Sequence, residues 1–282
     1  MEYLAFSILC SVVVSVLLKI ARRNHVDIRQ AIAFNYVTAV ALTWFILQPA
    51  LPQHVDNQPW SLFIALGVLL PSVFIMMFRA VETAGIVRSD AAQRLSLFIP
   101  ILASFLLFGE LVSLPRLISL FVAFCALLCL LYKPLTDSQN QHAPIFLFLV
   151  WVGYGVIDIC FKQFAKTGTA FSTGLLITFA LAGLLMFIYL FVMRASFNLT
   201  SIIAGIILGL FNFGNILFYI KAHQVFKANP TLVFATMNIG VITLGTIVGS
   251  IIFREKISRL NALGIVLAII AVCLLYFWAL RS

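Results

Sequence analysis

Two small groups of ionisable residues stand inside otherwise apolar runs, and they are where this chain can do chemistry. Asp90, Gln93 and Arg94 lie within Phe78–Glu110, just ahead of the apolar stretch Leu95–Phe108. Arg94 carries a planar fork of donors suited to a carboxylate or phosphate. Asp158 and Lys162 stand at i and i+4 in the run that begins at Pro144, so they share one helix face. An acidic group that deep suits proton coupling, and an ion pair with Lys162 reaching outward is the structural alternative. For Asp90 the expectation is structural: a charge at the wet mouth of a long loop, pairing with Arg94 one turn away.

The other polar or amphipathic groups inside apolar runs are Trp151, Tyr154, Asn212, Asn215 and Asn238. An amide in a membrane span must face other helices or a cavity. Together with Gln93 and Arg94 these five form the expected substrate-binding set, with Asp158 and Lys162 as the proton-coupling candidates. Pro71 and Pro100 are expected to kink their helices. Gly245 and Gly249 permit close helix approach. Glu110 and Glu255 fall at matched segment ends, where capping or loop pairing is expected.

Positioning such residues falls to long apolar helices. The chain has 282 residues, 63% of them hydrophobic and only 10% charged, with a mean hydropathy of +1.13. That composition excludes an ordinary soluble domain. Its apolar runs are continuous and about twenty residues long, the length that crosses a bilayer as a helix, and do not alternate as barrel strands do. The net charge of +9 does not imply nucleic acid, because Lys and Arg sit singly at the ends of apolar runs. The five cysteines lie inside apolar segments without clustered His, so no metal or other cofactor is expected. The Asn198-Leu199-Thr200 sequon is read as chance.

Ten spans are expected, at 2–20, 30–49, 60–81, 88–109, 114–132, 144–165, 171–193, 200–221, 229–252 and 258–279. The fourth must run back to about Ser89, because Leu95–Phe108 alone is too short to cross. Residues 1–133 and 144–282 read as two five-helix repeats joined by a polar linker, 134–143. Phe108, Glu110 and Ser113 align with Phe253, Glu255 and Ser258 at one constant offset, which also brings Gln93 onto Asn238. An odd number of spans per repeat makes the repeats inverted, with a binding site at their interface near the midplane. With both termini outside, the inner ends hold twelve of the eighteen Lys and Arg; Arg116, Lys162, Lys166, Lys221, Lys227 and Arg281 fall outside.

Arg79-Ala80 and Lys221-Ala222 end the third helix of each half, and Gly109-Glu110 and Arg254-Glu255 close the fourth. With ten spans in two halves, these pairs resemble the drug/metabolite transporter superfamily, EamA type, over nearly the whole chain. The resemblance implies an all-α polytopic permease in a bacterial inner membrane, more often an exporter. Its small multidrug-resistance members place an acidic coupling residue in a repeat's first helix, where Asp158 stands in the second half and Ser15 in the first. This sequence departs from the pattern in carrying its basic cluster after the first helix and Arg254 before the second Glu.

The functional expectation is a secondary active transporter. It would move a small polar or amphipathic metabolite, such as an amino acid or organic anion, by alternating access, with proton coupling through Asp158. Its partners would be that small molecule, protons and the lipid bilayer. No Walker motif is present. An intramembrane lipid-modifying enzyme would need clustered carboxylates, and the nine acidic residues are scattered. A non-transporting scaffold leaves the polar groups inside the spans without a purpose.

Overall fold

A computed structural model of the chain describes residues 2–24, 26–50, 59–96, 98–100, 103, 114–131, 142–165, 170–226 and 230–279. Most of these are helical, without a strand among the described residues. The helices are α1 (Glu2–Arg23), α2 (Ile28–Leu42, continued by a π turn at Thr43–Leu47), α3 (Trp60–Ala84), α4 (Ile86–Leu95) and α5 (Leu114–Leu131). They continue as α6 (Ala143–Ala165), α7 (Phe171–Val192), α8 (Leu199–Val225), α9 (Pro230–Ile247, continued by a π turn at Val248–Ile252) and α10 (Arg259–Ala279). Six of them (α1, α2, α3, α6, α7 and α8) contain segments long and apolar enough to cross a membrane. Phe45, Phe121, Leu128, Phe191 and Ile251 are exposed on the outside of the bundle. Such an apolar exterior is compatible with an integral membrane protein.

Local sequence sets the helix ends. Asp27 caps α2 by accepting from the Arg29 amide at 3.0 Å, and Asn198 caps α8 by accepting from the Thr200 amide at 2.9 Å. The Asn-Leu-Thr triplet is therefore a helix start. The connection between α3 and α4 is Gly85 alone, at φ +88°, a backbone that L side chains rarely adopt. The expected long, wet loop before the fourth helix is absent, and α4 begins at Ile86.

The fourth helix also departs from an unbroken 88–109. It ends at Leu95, and residues 98–100 are helical again. Pro100 has no amide to give the Ser96 carbonyl, which accepts from the Ile99 amide at 2.9 Å instead. The Ser96 hydroxyl and amide both close onto the Gln93 carbonyl, at 2.6 and 3.2 Å. Glu110 and the 134–143 linker lie outside the described residues.

Packing follows a pairwise pattern. Helix α1 lies against α8 and α9, while α6 lies against α3 and α4. Helix α2 meets α8 and α7 meets α3; α5 meets α10, α2 meets α7, and α4 meets α9. The α2–α8 crossing is close because Gly205 and Gly209 face it: a methyl group at Gly205 would stand 2.5 Å from the Ala31 carbonyl oxygen.

Candidate functional site

Between these helices lies a cavity of about 630 Å³, a volume typical of small-molecule sites. Its polar lining is Gln93, Arg94, Ser96, Tyr154, Asp158, Asn212, Asn215, Tyr219 and Asn238. The rest of its lining is largely apolar and aromatic, including Phe74, Phe161, Phe171, Phe179, aliphatic side chains and the buried Tyr36. Six of the seven residues expected to bind substrate thus share one surface, and Asp158 joins them.

The polar groups are tied down from behind. The Asn212 amide donates to Asn35 Oδ1 at 3.1 Å, and Ser7 Oγ donates to Asn215 Oδ1 at 2.8 Å. Arg94 donates to Ser11 Oγ at 2.6 Å, while its Nε has no hydrogen-bond partner among the described residues. The carboxylates of Asp90 and Asp158 both act on Arg94 through space. No ion pair within 4.0 Å joins Arg94 to either of them among the described residues. The Ser96 hydroxyl, which donates to the Gln93 carbonyl, lines the same cavity as Asp158. The break after Leu95 therefore gives the cavity two polar groups, Gln93 and Ser96, at a helix end.

Trp151 does not belong to this surface. Its indole Nε1 donates to the Leu95 carbonyl at 3.0 Å, and its ring packs on Phe124 and Phe148. The break in the fourth helix frees that carbonyl, because Ile99 has turned to Ser96, and the indole satisfies it. Lys162 falls on α6, with its side chain outside the described residues.

Asp90 corrects its expectation as well. It is 1% exposed and does not line the cavity. Ser15 Oγ donates to its Oδ1 at 2.6 Å, while its Oδ2 lies against Gly245 of α9 and accepts no hydrogen bond among the described residues. The glycine pair on α9 therefore serves close approach to α4, as its spacing suggested.

A feature missed in the sequence stands on α1. Ser7, Ser11, Ser15 and Lys19 recur every fourth residue and form one stripe, which meets Asn215, Arg94, Asp90 and Glu255 in turn. Three serines and a lysine at i, i+4 spacing in an apolar helix are legible as a buried polar seam. At its far end Glu255 accepts from the Ile86 and Val87 amides at 2.8 and 3.2 Å and pairs with Lys19 Nζ at 3.2 Å. A carboxylate there caps the exposed amides that open α4.

Comparison with known proteins gives the fold and a relative. No protein-family model matches the chain. A solved crystal structure of another protein superposes with a TM-score of 0.55, at 14% identity, covering 98% of this chain and 99% of that one. The two share a fold. An uncharacterized protein of Haemophilus influenzae is 56% identical over 290 aligned residues, covering 98% of each chain. At that identity over the full length, this chain belongs to one family with the Haemophilus influenzae protein.

Proposed function

We propose that the protein is a secondary active transporter of the drug/metabolite transporter type, an EamA-like permease of ten spans arranged as two inverted five-helix repeats. The observation that carries this reading is the cavity: Arg94, Asp158 and three asparagines line it together with four phenylalanines. A guanidinium and a carboxylate that are largely withdrawn from solvent and left unclosed by each other are costly. A ligand with complementary charge and an apolar tail removes that cost. The substrate class is a small amphipathic metabolite, an amino acid or organic anion. Its carboxylate lies on Arg94, and any amine lies toward Asp158, the cavity carboxylate through which a proton can also couple.

Two further observations support the architecture. Exchanging the first five helices for the last five maps α1–α8 onto α6–α3, α2–α8 onto α7–α3 and α1–α9 onto α6–α4, all of which are packed pairs. Ten alternating crossings also bring together the helix ends that touch. Lys19 with Glu255, Arg88 with the Leu130 carbonyl, Asp27 with Ser201 and Asn261 with the Cys129 carbonyl share one end. Thr173 with the Ala50 carbonyl marks the other. The lining runs from Gln93 toward Phe171, the first residue of α7, which lies at the Thr173 end. We read the Lys19–Glu255 end, which carries four of these contacts, as the closed one. This arrangement suits alternating access, with one face closed and the site reached from the other. By its cationic ends the closed face is the inner one, with both termini outside, in a bacterial inner membrane.

The test is exchange in vesicles. Protein reconstituted with an unlabelled ligand inside should accumulate the same ligand, labelled, from outside, and Arg94→Gln should abolish the exchange. Ligand that binds the purified protein without ever crossing the vesicle membrane would refute transport.

A further inference from the structure

The functional reading leaves one buried carboxylate without a task. Asp90 does not line the cavity, and its environment is closed on every side. From α1 it meets the Ser15 hydroxyl, while Lys19, one turn along that stripe, is held by Glu255; on α6 the Tyr154 hydroxyl feels its charge through space. From α9 it meets Gly245, which brings no charge. The Glu255 carboxylate acts on it from beyond the π turn but is itself matched by Lys19 and two backbone amides. On its own helix stands Arg94, one turn on, the cation that acts on it. Asp158 shares that cation but is only partly buried and faces the cavity, where water or a substrate amine can solvate it.

Resting on the transporter reading, we propose that Asp90 takes up one proton when an anionic substrate head occupies Arg94, so that anion and proton bind and leave together. An anion on Arg94 neutralises the charge that keeps Asp90 tolerably ionised in a dry site. A buried carboxylate without compensation neutralises itself by protonation. The proton comes from solvent, forms an O–H bond on the Asp90 carboxyl, and returns to solvent when the anion departs. The coupling is reciprocal: protonating Asp90 frees Arg94 from one of its two carboxylates and strengthens anion binding by the same factor. This places the proton site behind the substrate cavity, one helical turn from the anion it travels with, and makes the carrier a one-to-one anion–proton symporter in either direction.

The probe is 2-phenylethanesulfonate, whose charge is fixed at neutral pH, so that any proton bound belongs to the protein. Calorimetric titration of the purified protein in two buffers of different ionisation enthalpy, across a pH series, counts protons taken up per anion bound. The wild type should take up close to one. Asp90→Asn should bind the sulfonate and lose the uptake. Ser15→Ala should keep the uptake but move its pH window upward, because the hydroxyl bond favouring the ionised form is gone. That variant tests the proposal even if Asp90→Asn does not fold. Binding without proton uptake at any pH, or uptake that survives Asp90→Asn and vanishes in Asp158→Asn, overturns the proposal and leaves the transporter reading standing. Failure of the wild type to bind the sulfonate, or equal binding by Arg94→Gln, overturns the anion site at Arg94 and this proposal with it.

Discussion

Two charged regions lie along the same seam of α1 and are built oppositely. At the Lys19 end, Glu255 is matched by an ammonium group and two backbone amides, and it fits between Gly85 and Gly249. In the middle of the bundle, Arg94 donates to the Ser11 hydroxyl, and among the described residues its Nε has no hydrogen-bond partner and no ion pair closes it onto Asp158. A matched buried charge fixes geometry. An incompletely matched one is held ready for something else, and the cavity wall in front of Arg94 gives that something its space. On the proposed reading, the difference separates a structural carboxylate from a binding cation, both of them only partly exposed.

The comparison can be broken first at its closed end. Glu255→Ala leaves Lys19 and the α4 amides without their partner and should cost about 3–5 kcal/mol of stability, measured by chemical denaturation in detergent. Glu255→Gln keeps an acceptor for the amides and should cost less. Equal stability of Glu255→Ala and wild type would make the cap incidental. At the same end, Gly85→Ala forces a side chain into the +88° backbone and against the Glu255 carboxylate. It should cost roughly 1–3 kcal/mol.

Trp151→Phe tests the boundary between packing and binding. It leaves the Leu95 carbonyl unsatisfied and should lower stability by about 1 kcal/mol while leaving ligand affinity unchanged. A large loss of affinity would return the indole to the cavity. The smallest effect belongs to Asp27. Burial pushes its carboxyl up, but its hydrogen bonds and charge pairing with Arg29 outweigh this and hold it below the ordinary carboxylate value. A lowered folded value contributes stability above the unfolded value of about 3.9, lost as pH falls through the folded one. Asp27→Asn should therefore flatten slightly the acid limb of the stability profile, by less than the buried substitutions do.

Much of the site was legible because amides and charges are conspicuous in apolar runs. Asn212, Asn215 and Asn238 could be nominated on desolvation cost alone, and the long helices followed from continuous hydropathy. The break at Ser96 was not legible: it depends on which amide reaches which carbonyl ahead of Pro100, and an apolar run that is too short to span invites extension instead. Trp151 misled because an indole N–H serves a backbone carbonyl as readily as a ligand. Asp90 misled because the connection to its helix is a single glycine and not a wet loop. The aromatic lining was anonymous, since 27 phenylalanines give no hint of which four face a cavity. The serine stripe of α1 was visible and passed over, because small hydroxyls in a helix ordinarily bond back to their own backbone.

The most direct test of the central claim is the thermal stability of the purified protein across a panel of amino acids, organic anions and neutral analogues, for wild type and Arg94→Gln. Binding at a hundredfold excess over the dissociation constant should add about 2.7 kcal/mol. The expected result is stabilisation by carboxylates with apolar tails, absent for their neutral analogues and lost in Arg94→Gln. The same stabilisation in the variant, or a response confined to neutral molecules, would contradict the assignment of this cavity as a site for anionic metabolites.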